Sequence, residues 1–309
     1  MNILLVYPLY PDTFWSFKHA LKFVSKKASF PPLGLLTVAS LLPKDWCKKL
    51  IDMNANKLTD DDILWADFVF ISAMSIQSES ANQVIEKCNK LNAKIVAGGP
   101  LFTSSSEYYQ NIDHLVLNEA EITLPQFLHD LNEGTPKHIY TSEEWADITT
   151  TPLPVWDLVS MDTYTSMNVQ YSRGCPFDCD FCDITVLYGR KPRTKTKDQV
   201  IAELDALYFT GWRGPVFFVD DNFIGNRKKV KLILAEISKW MSKHNRPFSF
   251  STEASITVAD DIEIIELLKK SNFSGLFVGI ETPDEEALKS CGKYQNTGKD
   301  LKEKVNFLQ

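Results

Sequence analysis

No stretch of this chain comes near the roughly 18 consecutive apolar residues that a membrane-spanning helix requires. The closest candidate, Phe30 to Pro43, is too short and is interrupted by prolines. The N-terminus has no basic leader and no small-residue cleavage site; Met1-Asn-Ile-Leu-Leu-Val-Tyr-Pro8 enters an apolar run at once, as a first strand does. Basic charge is not in excess either. A net charge of −7 and a pI near 5.4 disfavour nucleic acid and anionic lipid as partners. The Gly-x-Gly-x-x-Gly dinucleotide fingerprint is missing after the first apolar run, where the chain reads Pro8-Leu-Tyr-Pro-Asp12, and this argues against NAD. Internal repeats and low-complexity segments are also lacking. These absences predict a cytoplasmic protein, and its 309 residues suffice for about two domains that need no staples.

What the chain does have is Tyr171-Ser-Arg-Gly-Cys-Pro-Phe-Asp-Cys-Asp-Phe-Cys182, with Cys175, Cys179 and Cys182 at C-x3-C-x2-C spacing. Three thiolates on one short loop can hold three irons of a cubane cluster and leave the fourth iron open to a ligand. Zinc would call for a fourth ligand, and His138 and His244 lie far off with no ligand-like pairing. A disulfide would leave an odd thiol in a chain with no mark of an oxidising compartment. Cys47, Cys88 and Cys291 read as isolated reduced thiols.

Around this loop the pattern is α/β throughout. Residues 1–141 alternate β-rich apolar runs with helical stretches: strands at Ile3–Tyr7, Lys49–Met53, Phe68–Ala73, Lys94–Ala97 and His114–Leu117, and helices at Leu33–Leu42, Ser78–Leu91 and Leu124–Leu131. Asp60-Asp61-Asp62 reads as an acidic lead-in to the third strand. This is a Rossmann-like, doubly wound domain, whose ligands belong over the carboxyl ends of the strands. Gly98-Gly99-Pro100 would let a flat ligand approach the backbone, or would be a turn and no more. Residues 142–164, with Thr149-Thr-Thr-Pro-Leu-Pro154, read as a linker.

Residues 165–309 then repeat strand and helix four times, with strands at Met167–Tyr171, Pro215–Val219, Phe248–Ser251 and Gly275–Ile280. Three of these runs finish near carboxylates or amides: Asp220, Asp221 and Asn222; Glu253; and Glu281. That is where a β/α barrel places its chemistry, although such a residue can equally be a helix cap or a surface charge. Four units make only part of a barrel, so the sequence reads as C-terminally truncated.

The cysteine spacing, with Phe181 before the last cysteine, resembles the radical S-adenosylmethionine (SAM) superfamily. Ser172-Arg-Gly-Cys-Pro176, Tyr188-Gly-Arg-Lys-Pro-Arg193, Val219-Asp-Asp-Asn-Phe-Ile-Gly-Asn226, Thr252-Glu-Ala-Ser255 and Gly279-Ile-Glu-Thr-Pro283 are similar to its cobalamin-binding-domain class. The resemblance implies a [4Fe–4S] cluster on Cys175, Cys179 and Cys182, reductive cleavage of SAM to a 5′-deoxyadenosyl radical, and a methyltransferase that acts on an unactivated carbon. It implies SAM contacts from Phe181, Asp220, Asp221, Asn222, Glu253 and Glu281, with Arg173, Arg190 and Arg193 as helpers or surface charges. It also implies cobalamin over the loops at Pro8, Ser72, Gly98-Gly99-Pro100 and Glu119. The Asp-x-His-x-x-Gly motif of a lower axial histidine is absent: Asp12 is followed by Thr13 and Phe14, and His19 is misplaced. An external electron donor of flavodoxin or ferredoxin type and a small-molecule substrate complete the expectation. Two other readings stay open: a radical rearrangement or oxidation without methyl transfer, and a catalytically incomplete cofactor-binding fragment.

Overall fold

The run Ile3-Leu4-Leu5-Val6 is fully buried on both of its faces, which only the interior of a sheet covered on both sides allows. It is the centre of strand β1 (Asn2–Tyr7). The computed structural model describes every residue but 14–17 and 299, and leaves the side chains of residues 18, 19 and 22 undescribed. The two positions weighed for an axial histidine motif, Phe14 and the His19 side chain, therefore lie outside the described residues. The chain divides into two compact units, Met1–Thr165 and Ser166–Gln309.

In the first unit β1 is followed by α1 (Lys18–Leu21), α2 (Leu33–Leu41), β2 (Cys47–Asp52), α3 (Asp60–Leu64), β3 (Phe68–Ser72) and α4 (Ser78–Lys90). β4 (Ile95–Gly98), α5 (Pro100–Ser104), β5 (His114–Val116), α6 (Ala120–Asn132) and β6 (Ile139–Tyr140) complete it. The strands pair in parallel in the order β2-β1-β3-β4-β5-β6. This is the doubly wound order with its switch point between β1 and β3. Leu4, Val6, Val69 and Ile71 join Val84, Ile85 and Cys88 of α4 in one buried cluster. Phe68 and Phe70 meet Phe127 of α6 edge to face, each pair at 6.3 Å between ring centres. Burying each such side chain favours folding by roughly 1.5–3 kcal/mol.

The acidic lead-in is a helix, not an approach to a strand. Thr59 and Asp62 form a reciprocal capping box that starts α3, and Lys49 pairs with the Asp62 carboxylate. Three aspartates in a first turn complement the helix dipole, which explains the acidic run. Residues 142–164, read as a linker, fall within the first unit. Tyr164 there is buried, and its hydroxyl donates to Asp52 at 3.1 Å.

The second unit holds β7 (Met167–Val169), the short strands β8 (Ser172–Arg173) and β9 (Arg193–Thr194), and helix α7 (Ile184–Tyr188) between them. Then come α8 (Lys197–Phe209), β10 (Gly214–Phe218), α9 (Arg227–Lys243), β11 (Phe248–Glu253), α10 (Ile262–Lys270), β12 (Phe273–Phe277), α11 (Glu285–Ser290) and α12 (Leu301–Leu308). β7, β10, β11 and β12 form one parallel sheet in sequence order, which sets all four carboxyl ends on one rim. Phe218, Phe223, Phe250 and Phe273 pack together beneath it, with centroids 5.2–5.5 Å apart. The fourth strand begins two residues before the run expected at Gly275, and its register against β11 shifts by one residue between Phe250 and Ser251.

Gly98 ends β4 where β5 lies closest: a Cβ there would fall 2.5 Å from the Val116 carbonyl oxygen. A backbone atom cannot yield as a side-chain tip can. Gly98→Ala should therefore destabilise the first unit by about 1–3 kcal/mol with or without a ligand, read as a lower urea midpoint at unchanged slope.

Candidate active site

The cysteine loop is closed at its base. β8 and β9 pair antiparallel, Ser172 opposite Thr194 and Arg173 opposite Arg193, so residues 174–192 bulge from a two-stranded stem with all three cysteines inside. Gly174 takes a left-handed φ of 89°, and a Cβ there would lie 2.7 Å from the Gly189 oxygen, so the neck admits only glycine. Within the loop the Cys175 N–H donates to Gly189 O (3.3 Å) and the Cys182 N–H to Cys179 O (3.0 Å).

Three successive residues after β10 hold this neck. Asp220, 1% exposed, accepts the Tyr171 N–H at 3.1 Å, the Ser172 hydroxyl at 2.5 Å and the Ser172 N–H. Asp221 accepts the Gly174 N–H at 3.0 Å. Asn222, also buried, donates its amide to Cys175 Sγ at 3.8 Å and accepts the Ser255 N–H at 3.2 Å. Burial raises Asp220 to about 7 against these bonds, and raises Asp221 to about 6 against the Gly174 N–H and the Arg173 charge. Both oxygens of Asp220 are thus used by the neck. Through these bonds it positions the loop.

The other strand-end acids divide in the same way. Glu281 sits at a left-handed φ of 65° and pairs with Lys293, itself nearly buried. Its charge is neutralised within the protein. Glu253 ends β11 with its backbone oxygen bonded to the Phe223 N–H at 3.0 Å. Its carboxyl is raised first by burial and then by the Asp221 charge. The Asp221 charge is thus felt by Glu253 at the neighbouring strand end. Phe181 is 59% exposed, and the Lys293 ammonium lies 5.5 Å from its ring centre. Arg190 pairs with Asp178 across the loop at 3.0 Å, in solvent, where such a pair contributes little.

All six cysteines are free thiols. Burial raises Cys175, countered by the Phe177 N–H and the Asn222 amide; it raises Cys182, countered by the Ile184 N–H. Among the described residues no three Cys, His, Asp or Glu side chains gather about one ion-sized point. Ligands of three different irons need no such convergence, and soft thiolates already provided with N–H donors suit an iron–sulfur cluster. Sequence reasoning did not see a further segment, residues 289–296. An open cavity of about 410 Å³ lies between it and the loop, lined in part by Phe177, Asp180, Arg190, Lys289, Tyr294 and Gln295.

In the first unit the expected cobalamin positions share the carboxyl rim of the sheet. The Pro8 carbonyl accepts the Gln77 amide at 2.5 Å and the Asn54 amide at 3.3 Å. A Cβ on Gly99, whose φ is 91°, would lie 2.6 Å from Ser72 Oγ, and Pro100 is the first residue of α5. The fold's own close contacts therefore account for both glycines. Glu119 is buried, and its Oε2 accepts the Ala146 N–H at 2.8 Å, so it braces a loop. Around the switch point Leu9, Met74 and Ile76 are 45–53% exposed, and the Tyr7 and Tyr10 hydroxyls are 2.6 Å apart. An apolar patch with a few fixed polar groups suits a large flat cofactor.

Residues 169–309 match the family model of the radical SAM superfamily, and residues 24–128 match that of the B12 binding domain. An uncharacterised methyltransferase of Synechocystis sp. is 50% identical over the whole chain, which covers 58% of that protein. The hopanoid C-2 methylase of Rhodopseudomonas palustris is 39% identical over 96% of the chain, which covers 57% of it. The chain thus spans a little over half the length of these relatives. Among solved structures, the radical S-adenosylmethionine methyltransferase TsrM of Kitasatospora setae has the same fold at a TM-score of 0.73 and 16% identity, over 99% of this chain and 65% of that one.

A carboxyl raised in the folded state keeps its proton between about pH 4 and pH 7, where the unfolded chain has lost it. The stability that Asp220 contributes at low pH is accordingly lost as pH rises through about 7. Wild type should lose stability relative to Asp220→Asn between about pH 4 and pH 7 and change little beyond about 8. Thermal midpoints of the two proteins across that range check this; parallel curves would reject it.

Proposed function

We propose, from the premise that the chain belongs to the radical SAM superfamily and carries a B12-binding domain, that it is a cobalamin-dependent radical SAM methyltransferase acting on an unactivated carbon. The observation that carries this reading is the stemmed cysteine loop, closed by β8 and β9 and held at its neck by Asp220, Asp221 and Asn222. Cys175, Cys179 and Cys182 would hold three irons of the cluster. When bound, the cluster supplies the electron that cleaves SAM to a 5′-deoxyadenosyl radical, and cobalamin supplies the methyl group.

The chain's own residues would do the rest. Asp220 fixes the direction in which the loop leaves the sheet. Asp221 and Glu253 present negative charge at neighbouring strand ends, where the ammonium of SAM would neutralise them. Phe181, exposed beside the last cysteine, offers a ring face to adenine. In the first unit, Leu9, Met74 and Ile76 would lie against the corrin, beside the Tyr7–Tyr10 pair. The six free thiols and the need for an external donor of flavodoxin or ferredoxin type favour a reducing, cytoplasmic setting. The relatives' names support methyl transfer over rearrangement, and likeness to a hopanoid C-2 methylase makes a hopanoid the first small-molecule substrate to try.

The test is anaerobic reconstitution. Wild type should bind about four irons and four sulfides per chain, show a corrinoid absorption spectrum, and form 5′-deoxyadenosine together with a product heavier by one methylene. Cys179→Ala should lose cluster and cleavage to background, and a variant that retained cleavage would sink the assignment. Glu253→Gln should keep the cluster and weaken SAM binding by about tenfold, the loss expected for one charged hydrogen bond. Release of 5′-deoxyadenosine with an unmethylated, altered product would instead mark a rearrangement or oxidation enzyme.

A further inference from the structure

Gln295 lies 116 residues beyond Cys179 in sequence, yet its side-chain amide donates to Cys179 Sγ at 3.4 Å. The segment that carries it is fastened at several points. The Asp180 N–H donates to Cys291 O at 3.0 Å. Gly292, with φ of 71°, lies so close to the loop that a Cβ would fall 2.6 Å from Asp178 O. Lys293 pairs with Glu281, and the buried Asn296 donates its amide to Gly279 O at 2.8 Å and Ile280 O at 3.1 Å. The segment that carries the Gln295 amide is therefore bound at once to the cysteine loop and, through Lys293 and Asn296, to the residues that follow β12. A metal-bound thiolate only accepts, so the nitrogen end of Gln295 must face it. The Gln295 oxygen is then left buried without a protein partner.

We infer that Gln295 is a positioning residue that sets the reduction potential of the cluster through Cys179; the inference rests on the cluster reading above. Reduction adds one electron to the cluster and its thiolates, and an N–H donor aimed at a ligand sulfur stabilises the more negative state. Cys179 is thereby coupled to β12 by an amide that no loop residue supplies. Asn222 gives Cys175 a similar but longer contact at 3.8 Å. The two amides reach the loop from different segments, Asn222 from just after β10 and Gln295 from beyond α11.

The experiment is an EPR-monitored reductive titration of the anaerobically reconstituted full-length protein without SAM, for wild type, Gln295→Leu and Gln295→Glu. Gln295→Leu should lower the midpoint, cutting the reduced-to-oxidised ratio at a fixed potential by up to about tenfold, or ~59 mV for one electron. Gln295→Glu, nearly the same shape, should lower it further by setting negative charge against the sulfur, and it carries the test where the leucine variant fails to fold. Iron content should match wild type in both. Unchanged midpoints with full iron would overturn the inference and leave the cluster reading standing. Failure of the wild type itself to take up iron would overturn the cluster reading, and this inference with it.

Discussion

Everything at the second rim depends on one buried carboxylate. Asp220 accepts two backbone N–H groups and one hydroxyl from Tyr171 and Ser172, where β7 gives way to the stem of the cysteine loop. A buried carboxyl without such donors would cost several kcal/mol, so it settles only where the neighbouring strand turns its N–H groups toward it. The next two residues continue the ladder, Asp221 to Gly174 and Asn222 to Cys175. Strand β10 thus determines, residue by residue, where its neighbour's loop stands. The buried Lys195–Glu203 pair closes the other side: the Lys195 N–H meets Tyr171 O at 2.8 Å, and Glu203 accepts the Gln170 N–H at 3.4 Å. Breaking a buried pair of this kind leaves a bare charge and is strongly destabilising.

The strand-end acids show how one sequence pattern serves different ends. Asp220, Asp221, Glu253 and Glu281 all follow apolar runs, and a rim reading treats them alike. Their surroundings do not. Asp220 is bonded by Tyr171 and Ser172 and Glu281 by Lys293, while burial raises the carboxyls of Asp221 and Glu253. Selection among similar residues is thus made by what packs on them from elsewhere.

This explains what could be read from the sequence. The alternation of strands and helices was legible because each element carries its own period, and Ile3–Val6 or Phe248–Phe250 needs no partner to announce a buried strand. The cysteine loop was legible because chelation is local, written in the spacing of Cys175, Cys179 and Cys182. Thr59 and Asp62 were legible in principle, as a capping pair three apart, but the acidic run hid them. The inward turn of Asp220 was not, since a strand end does not say which side chain its neighbour will satisfy. Glu119 looked like a rim acid and is a brace for Ala146. Gln295 was beyond reach, because no period or spacing joins it to Cys179.

The rim also bears on what surrounds the sulfurs of a short three-cysteine loop. Burial raises the Cys175 and Cys182 thiols, which favours their protonated form. Cluster assembly must expel those protons, and the donors already aimed at sulfur from Phe177, Ile184, Asn222 and Gln295 lower the cost of the resulting thiolates. With a cluster bound, these same N–H groups would make charge-assisted bonds to the thiolates. The neck is fixed by oxygen acceptors on β10, the sulfurs by nitrogen donors from three directions, and neither set competes with the other for a partner.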